Sequence, residues 1–152
     1  MAEFTYNDVQ TIQAGASALL NDAIPCNRGF VIHRPASGIL TLRGIVNNPC
    51  APFARYRVMF DGNIAVPTGG TVGEIQAALA IGGEIIPTSI AAATPAAVEQ
   101  YWNVSGFAII DVPKGCCYTV AVENASVSAD PATTPAPAIL MRNLNVEVTR
   151  MA

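Results

Sequence analysis

Charged side chains are scarce in this sequence: 8 Lys+Arg and 11 Asp+Glu make 12% of 152 residues, where an average soluble protein has roughly 25%. Lys114 is the single lysine, and the net charge is −3 with a pI near 4.9. That removes the basic footprint required for binding a phosphate backbone and argues against a nucleic-acid partner. Long hydrophobic runs are missing too. Between charged residues the longest apolar stretch runs from Ile85 to Val98 and contains Pro87 and Pro95, short of the ~20 residues that span a bilayer as a helix. The sequence therefore predicts no membrane partner. The N-terminus has Glu3 and no basic segment ahead of an apolar core, so synthesis is expected to end in the cytosol.

Histidine is nearly absent as well. His33 stands alone, without a nucleophile-elbow or papain-like motif around any Ser or Cys, which predicts a chain that is not an enzyme. Cys26, Cys50, Cys116 and Cys117 have no zinc-ligand spacing, and the acids are spread too singly for calcium. No metal and no cofactor are expected. A reducing compartment disfavours disulfides, so the cysteines are expected to be small buried thiols. Pro67 to Thr71 is glycine-rich but lacks the Gly-Lys-Ser/Thr of a phosphate loop, and reads as a turn.

What the chain does have is apolar residues, 51% with a mean hydropathy of +0.38, arranged in short alternating runs between turn signals. The length suits one domain. Strands are expected from Phe4 to Ile12, Gly29 to His33, Gly38 to Ile45 and Arg55 to Phe60, where Tyr56, Val58 and Phe60 share a face. Further strands are expected from Asn103 to Val112, Cys116 to Asn124 and Ile139 to Arg150, the last with Leu144, Val146 and Val148 inward. Gly82-Gly83 supplies a primed turn between Thr71–Ile81 and a return strand Glu84 to Ile90. Pro113 to Gly115 is expected to close a hairpin between its two flanking strands. Thr94-Pro95 has the signature of a short helix start, and Ala125 to Ala138 is a Pro-, Ala- and Ser/Thr-rich loop. The total is eight to ten strands with antiparallel connections, an all-β jelly-roll sandwich.

The order of motifs resembles a known family. RYRVMFDGNIAVPTGGT from Arg55, IQAALAIGGEIIPTS from Ile75, NVSGFAIIDVPKGCCYTVAVENAS from Asn103 and the closing LNVEVTRM from Leu144 are similar to tumour-necrosis-factor-like jelly-roll modules. Those modules occur in phage and prophage structural proteins of Gram-positive bacteria. In outline the chain also resembles the heads of spore-surface glycoproteins, but it lacks the Gly-X-Y repeat of their collagen-like stalks. The resemblance implies a compact homotrimer and, for the phage members, attachment to a virion: a capsid decoration or head-fibre subunit. Its partners would be other copies of itself and the major capsid protein or neighbouring virion subunits. Assembly would take place in the bacterial host cytoplasm, with display at the virion surface. A receptor- or glycan-binding adhesin tip and a spore-surface coat protein are the alternatives.

On this reading Arg55, Arg57, Met59, Thr119, Ala121, Glu123, Asn143, Asn145 and Glu147 form the second face of one inner sheet and the trimer interface. Arg55 or Arg57 is expected to meet Glu123 or Glu147. Residues 1–26 are assigned as an anchoring segment or first strand, with Phe4 and Tyr6 making the anchor, and 27–152 as the jelly roll. Tyr101 and Trp102 are adjacent, so one ring points away from the core and is a candidate glycan platform or boundary contact.

Overall fold

The computed structural model describes residues 1–24 and 29–151; Cys26 and the boundary at 26/27 fall outside them. Among the described residues twelve strands form two antiparallel sheets packed face to face. The first contains β1 (Ala2–Tyr6), β2 (Gln10–Ile12), β3 (Asp22–Ile24), β6 (Phe53–Ala65), β10 (Trp102–Pro113) and β12 (Ile139–Arg150). Its order is β10-β6-β12-β1-β3, with β2 also on β12. The second contains β4 (Val31–His33), β5 (Leu40–Arg43), β7 (Ile75–Ile81), β8 (Glu84–Ile85), β9 (Ala91–Ala93) and β11 (Cys117–Asn124). Its order is β4-β5-β11-β7-β8, with β9 on β7. Among the described residues the sole helical element is a 3₁₀ turn, Pro87–Ser89, and no helix is long and apolar enough to cross a membrane.

Period-two alternation puts Tyr56, Val58 and Phe60 of β6 and Leu144, Val146 and Val148 of β12 into the core, against Leu40, Leu42, Leu79, Val120 and Val122 of the opposite sheet. The buried Tyr56 hydroxyl donates to the carbonyl of Arg43 at 2.5 Å and lies 3.3 Å from that of Phe30. It ties one sheet to the end of the other and satisfies a polar group that burial would otherwise leave costly. Gly82 and Gly83 have φ of 59° and 86°, the positive values a primed hairpin turn demands.

Four expectations are corrected. Pro113–Gly115 does not close a hairpin: β10 pairs with β6, while β11 pairs with β5 and β7. The turn carries the chain from one sheet to the other, a connection that local periodicity cannot distinguish from a hairpin. Thr94-Pro95 opens no helix, the segment being bends and turns, because the short stretch has no apolar helical stripe to bury. The return strand after Gly83 stops at Ile85; the Ser89 hydroxyl then takes over β7's hydrogen bonding at Leu79. Cys50, Cys116 and Cys117 are exposed free thiols, not buried ones: Cys50 lies in a turn, Cys116 just before β11, and Cys117 at that strand's first, outward-facing position.

Candidate functional site

The outward face of the first sheet is built by odd-numbered positions of β6 and β10 and by β12 beyond its bulge. Pairing register lays them in rows. Phe107 lies opposite Met59, which lies opposite Glu147; Ile109 lies opposite Arg57, which lies opposite Thr149. Phe107, Ile109 and Met59 are 59%, 48% and 36% exposed. Three large apolar side chains thus stand together on a solvent-facing sheet, a patch of the kind that marks an interaction surface.

Two ion pairs border the patch. Arg55 grips Asp111 with two bonds of 2.8 Å each, from Nε and Nη2, and this donation holds the Asp111 carboxyl below its ordinary pKa. Arg57 Nη2 lies 3.2 Å from Glu147 Oε1, and the Thr149 hydroxyl donates to the same oxygen at 2.9 Å. The Thr149 hydroxyl holds Glu147 below its ordinary value, and Arg57 adds to it against the opposing effect of burial. Asn145 Nδ2 donates to Glu3 Oε1 at 2.6 Å. Both arginines beside the apolar trio are thus paired with carboxylates, while Glu3 and Asp61 on the same face accept from the Asn145 and Asn103 amides.

Arg55, Arg57, Met59, Asn145 and Glu147 of the expected interface therefore share this surface, and the Arg57–Glu147 contact forms within one chain. Thr119, Ala121 and Glu123 do not join them: they lie on β11, in the other sheet. Period two assigns a face to each strand but says nothing about which sheet the strand enters. Asn143 is also displaced. It sits in a β-bulge between Arg142 and Asn145 with φ 52°, its N–H bonded to the Asn7 carbonyl. The bulge switches the buried positions of β12 from Ile139 and Met141 to Leu144, Val146 and Val148.

Sequence reasoning missed Phe107, Ile109 and Asp111. The signal was there in β10, apolar on both of its faces, with Val104, Ala108 and Ile110 inward and Phe107 and Ile109 outward. The assignment of Phe4 as an anchor is corrected: it is 2% exposed, edge-on to the His33 ring at 5.1 Å. Its strand β1 lies between β12 and β3, so it belongs to the core; Tyr6 is half-buried beside it. Tyr101 lies under the Arg142 guanidinium at 3.8 Å, and Trp102, at the start of β10, is 47% exposed. Among the described residues no three His, Cys, Asp or Glu side chains converge as metal ligands. A groove of about 360 Å³ at the end of the sandwich is lined by Phe30, Arg43, Ile45, Asn48 and Arg150, the last stacked on Phe30 at 3.9 Å.

The two antiparallel sheets with these crossings define a jelly roll of the tumour-necrosis-factor and complement 1q kind. Among solved structures, the globular domain of the zebrafish complement 1qA protein is similar at 16% identity and TM-score 0.54, covering 96% of this chain and 94% of that one. Eiger TNF from S. frugiperda is similar at 10% identity and TM-score 0.58, covering 100% of this chain and 92% of that one. No protein-family model matches the sequence, and no curated protein matches it.

Proposed function

We propose that the protein is a homotrimeric structural subunit of a phage particle, a capsid decoration or head-fibre protein that works by burial and shape and catalyses nothing. The observation that carries the self-association is the exposed apolar trio Met59, Phe107 and Ile109, beside which both arginines of the face are already paired with carboxylates. Three sandwiches packed edge to face would remove that patch from water. The jelly-roll likeness and the scarcity of charge support the same reading, because a subunit that covers its surface with partners needs few charges for solubility. The virion role rests on the motif resemblance to phage and prophage modules. It places the protein on the virion surface after assembly in the bacterial host cytoplasm, bound to the major capsid protein or neighbouring virion subunits.

Sedimentation velocity of the purified chain tests the first part, with a three-chain particle as the expected result and a single-chain species overturning it. Mass spectrometry of purified virions, together with the position of the gene beside capsid and portal genes, tests the second. A gene set among sporulation genes would favour the coat-protein alternative instead. The exposed Trp102 favours one second reading, an adhesin tip. A glycan array signal that is lost in Trp102→Ala would establish it.

A further inference from the structure

The second sheet also has an outward face. Register places Ile32 opposite Thr41, Thr41 opposite Thr119, Ala121 opposite Ala80, and Glu123 opposite Ala78. Ser17 bridges Glu123 from the other side, which brings Leu19 to the same surface. Ala78, Ala80 and Ala121 are buried and form a low floor, while Leu19, Ile32 and Ile39 stand 42%, 52% and 48% exposed around it. Glu123 lies on the same face, 7% exposed as a residue, and among the described residues no side chain or backbone group bonds or ion-pairs with its carboxylate. Burial pushes its pKa up, the mark of a desolvated and uncompensated charge.

The face is also polarised along its strands. Glu123 shares one end with Glu74, which accepts a 2.6 Å bond from Gln76. At the other end lie Arg43, exposed and opposite Cys117, and Lys114 in the turn before β11. Arg34 follows β4 between these ends. The six residue steps from Cys117 to Glu123 separate the two ends by roughly 20 Å at the ~3.4 Å rise of a strand. Such a surface is complementary to itself. A two-fold axis in the plane of contact and perpendicular to the strands lays each basic end over the other copy's acidic end.

We propose that this face is a second self-association surface, on which a second copy of the chain docks by two-fold symmetry, with its Arg43 reaching the recessed Glu123 and the Leu19, Ile32 and Ile39 rims meeting. The pairing supplies a counterion to a carboxylate that the single chain already largely covers, so that little further desolvation is needed to bring the two charges together. The proposal is independent of the trimer reading, because it uses the opposite sheet.

Sedimentation equilibrium of the full chain at low salt, over dilutions from millimolar to micromolar, tests both. The expected result is assemblies of more than three chains, since each three-chain particle presents three such faces, that separate into three-chain particles on dilution and on adding salt. Glu123→Arg and Arg43→Glu each weaken the pairing about tenfold or more, and the double exchange restores it. Ile32→Glu, at an exposed position the fold does not need, gives the same loss and guards against misfolding of the Glu123 variant. If only the trimer reading fails, the wild type passes between two chains and one, and Glu123→Arg stays at one. A wild type found only as three-chain particles or only as single chains, or a folded Glu123→Arg that pairs as the wild type does, overturns the proposal. So does Glu123→Arg losing attachment to virions while the wild type forms no pairs, which would assign the recess to another protein.

Discussion

Replacing Phe107 by alanine tests the proposed subunit contact most directly. Phe107 leaves 59% of its surface in water in the single chain. With roughly 200 Å² for a Phe side chain, covering that fraction removes about 120 Å², worth about 3 kcal/mol at ~25 cal/mol per Å². An alanine keeps about a third of this, so each subunit loses ~2 kcal/mol and a trimer ~6 kcal/mol. At about 1.4 kcal/mol per tenfold, the three-body association constant falls by a factor of roughly 10⁴. Dissociation of a trimer into single chains depends on concentration squared, so the midpoint concentration rises on the order of 100-fold. Sedimentation equilibrium over a dilution series reads this shift. The residue contributes little to the interior, so the thermal midpoint of the dissociated chain should stay where it is. Imperfect packing lowers the yield of buried area; a shift under tenfold refutes the burial of Phe107 between subunits.

Other expectations concern the single chain. Removing residues 2–6 deletes a strand between β12 and β3 together with the buried Phe4, and should abolish cooperative unfolding by circular dichroism; a folded product would contradict the placement of β1. Gly106→Ala sets a Cβ 2.3 Å from the Ser89 carbonyl oxygen and 2.7 Å from the Phe60 ring, so a loss of about 1–3 kcal/mol in urea unfolding is expected. Glu147 has a lowered folded pKa. Its contribution is present above the ordinary value of 4.5 and is lost as pH falls through the lowered value, and Glu147→Gln should remove that part of the acid loss. Glu123 runs the other way, with its pKa raised: stability falls as pH rises from 4.5 through the raised value, and Glu123→Gln should be the more stable protein at pH 7 in thermal melts.

Alternation in Arg55–Phe60 and Leu144–Val148 specified which side chains face the core, and the two glycines at 82 and 83 specified a turn that only positive φ permits. These are local properties, set by side-chain period and backbone sterics within a few residues. The Arg57–Glu147 contact was also within reach, because both strands had assigned faces and few opposite charges were available to meet. Asp111 was not foreseen as the partner of Arg55, because that pairing follows from the β6–β10 register, which no short segment encodes.

By itself the sequence determined an all-β sandwich, its inward faces, and a surface too poor in charge to be left uncovered. Tertiary structure alone decided the distribution of strands between sheets. It sent β11 away from β10, put Glu123 into a recess on one face and gathered Met59, Phe107 and Ile109 on the other. The physical reason is the range of the forces involved. Alternation is decided by neighbours two residues apart, whereas sheet membership is decided by which long-range pairing buries the most apolar area with every backbone hydrogen bond satisfied, a sum taken over the whole chain.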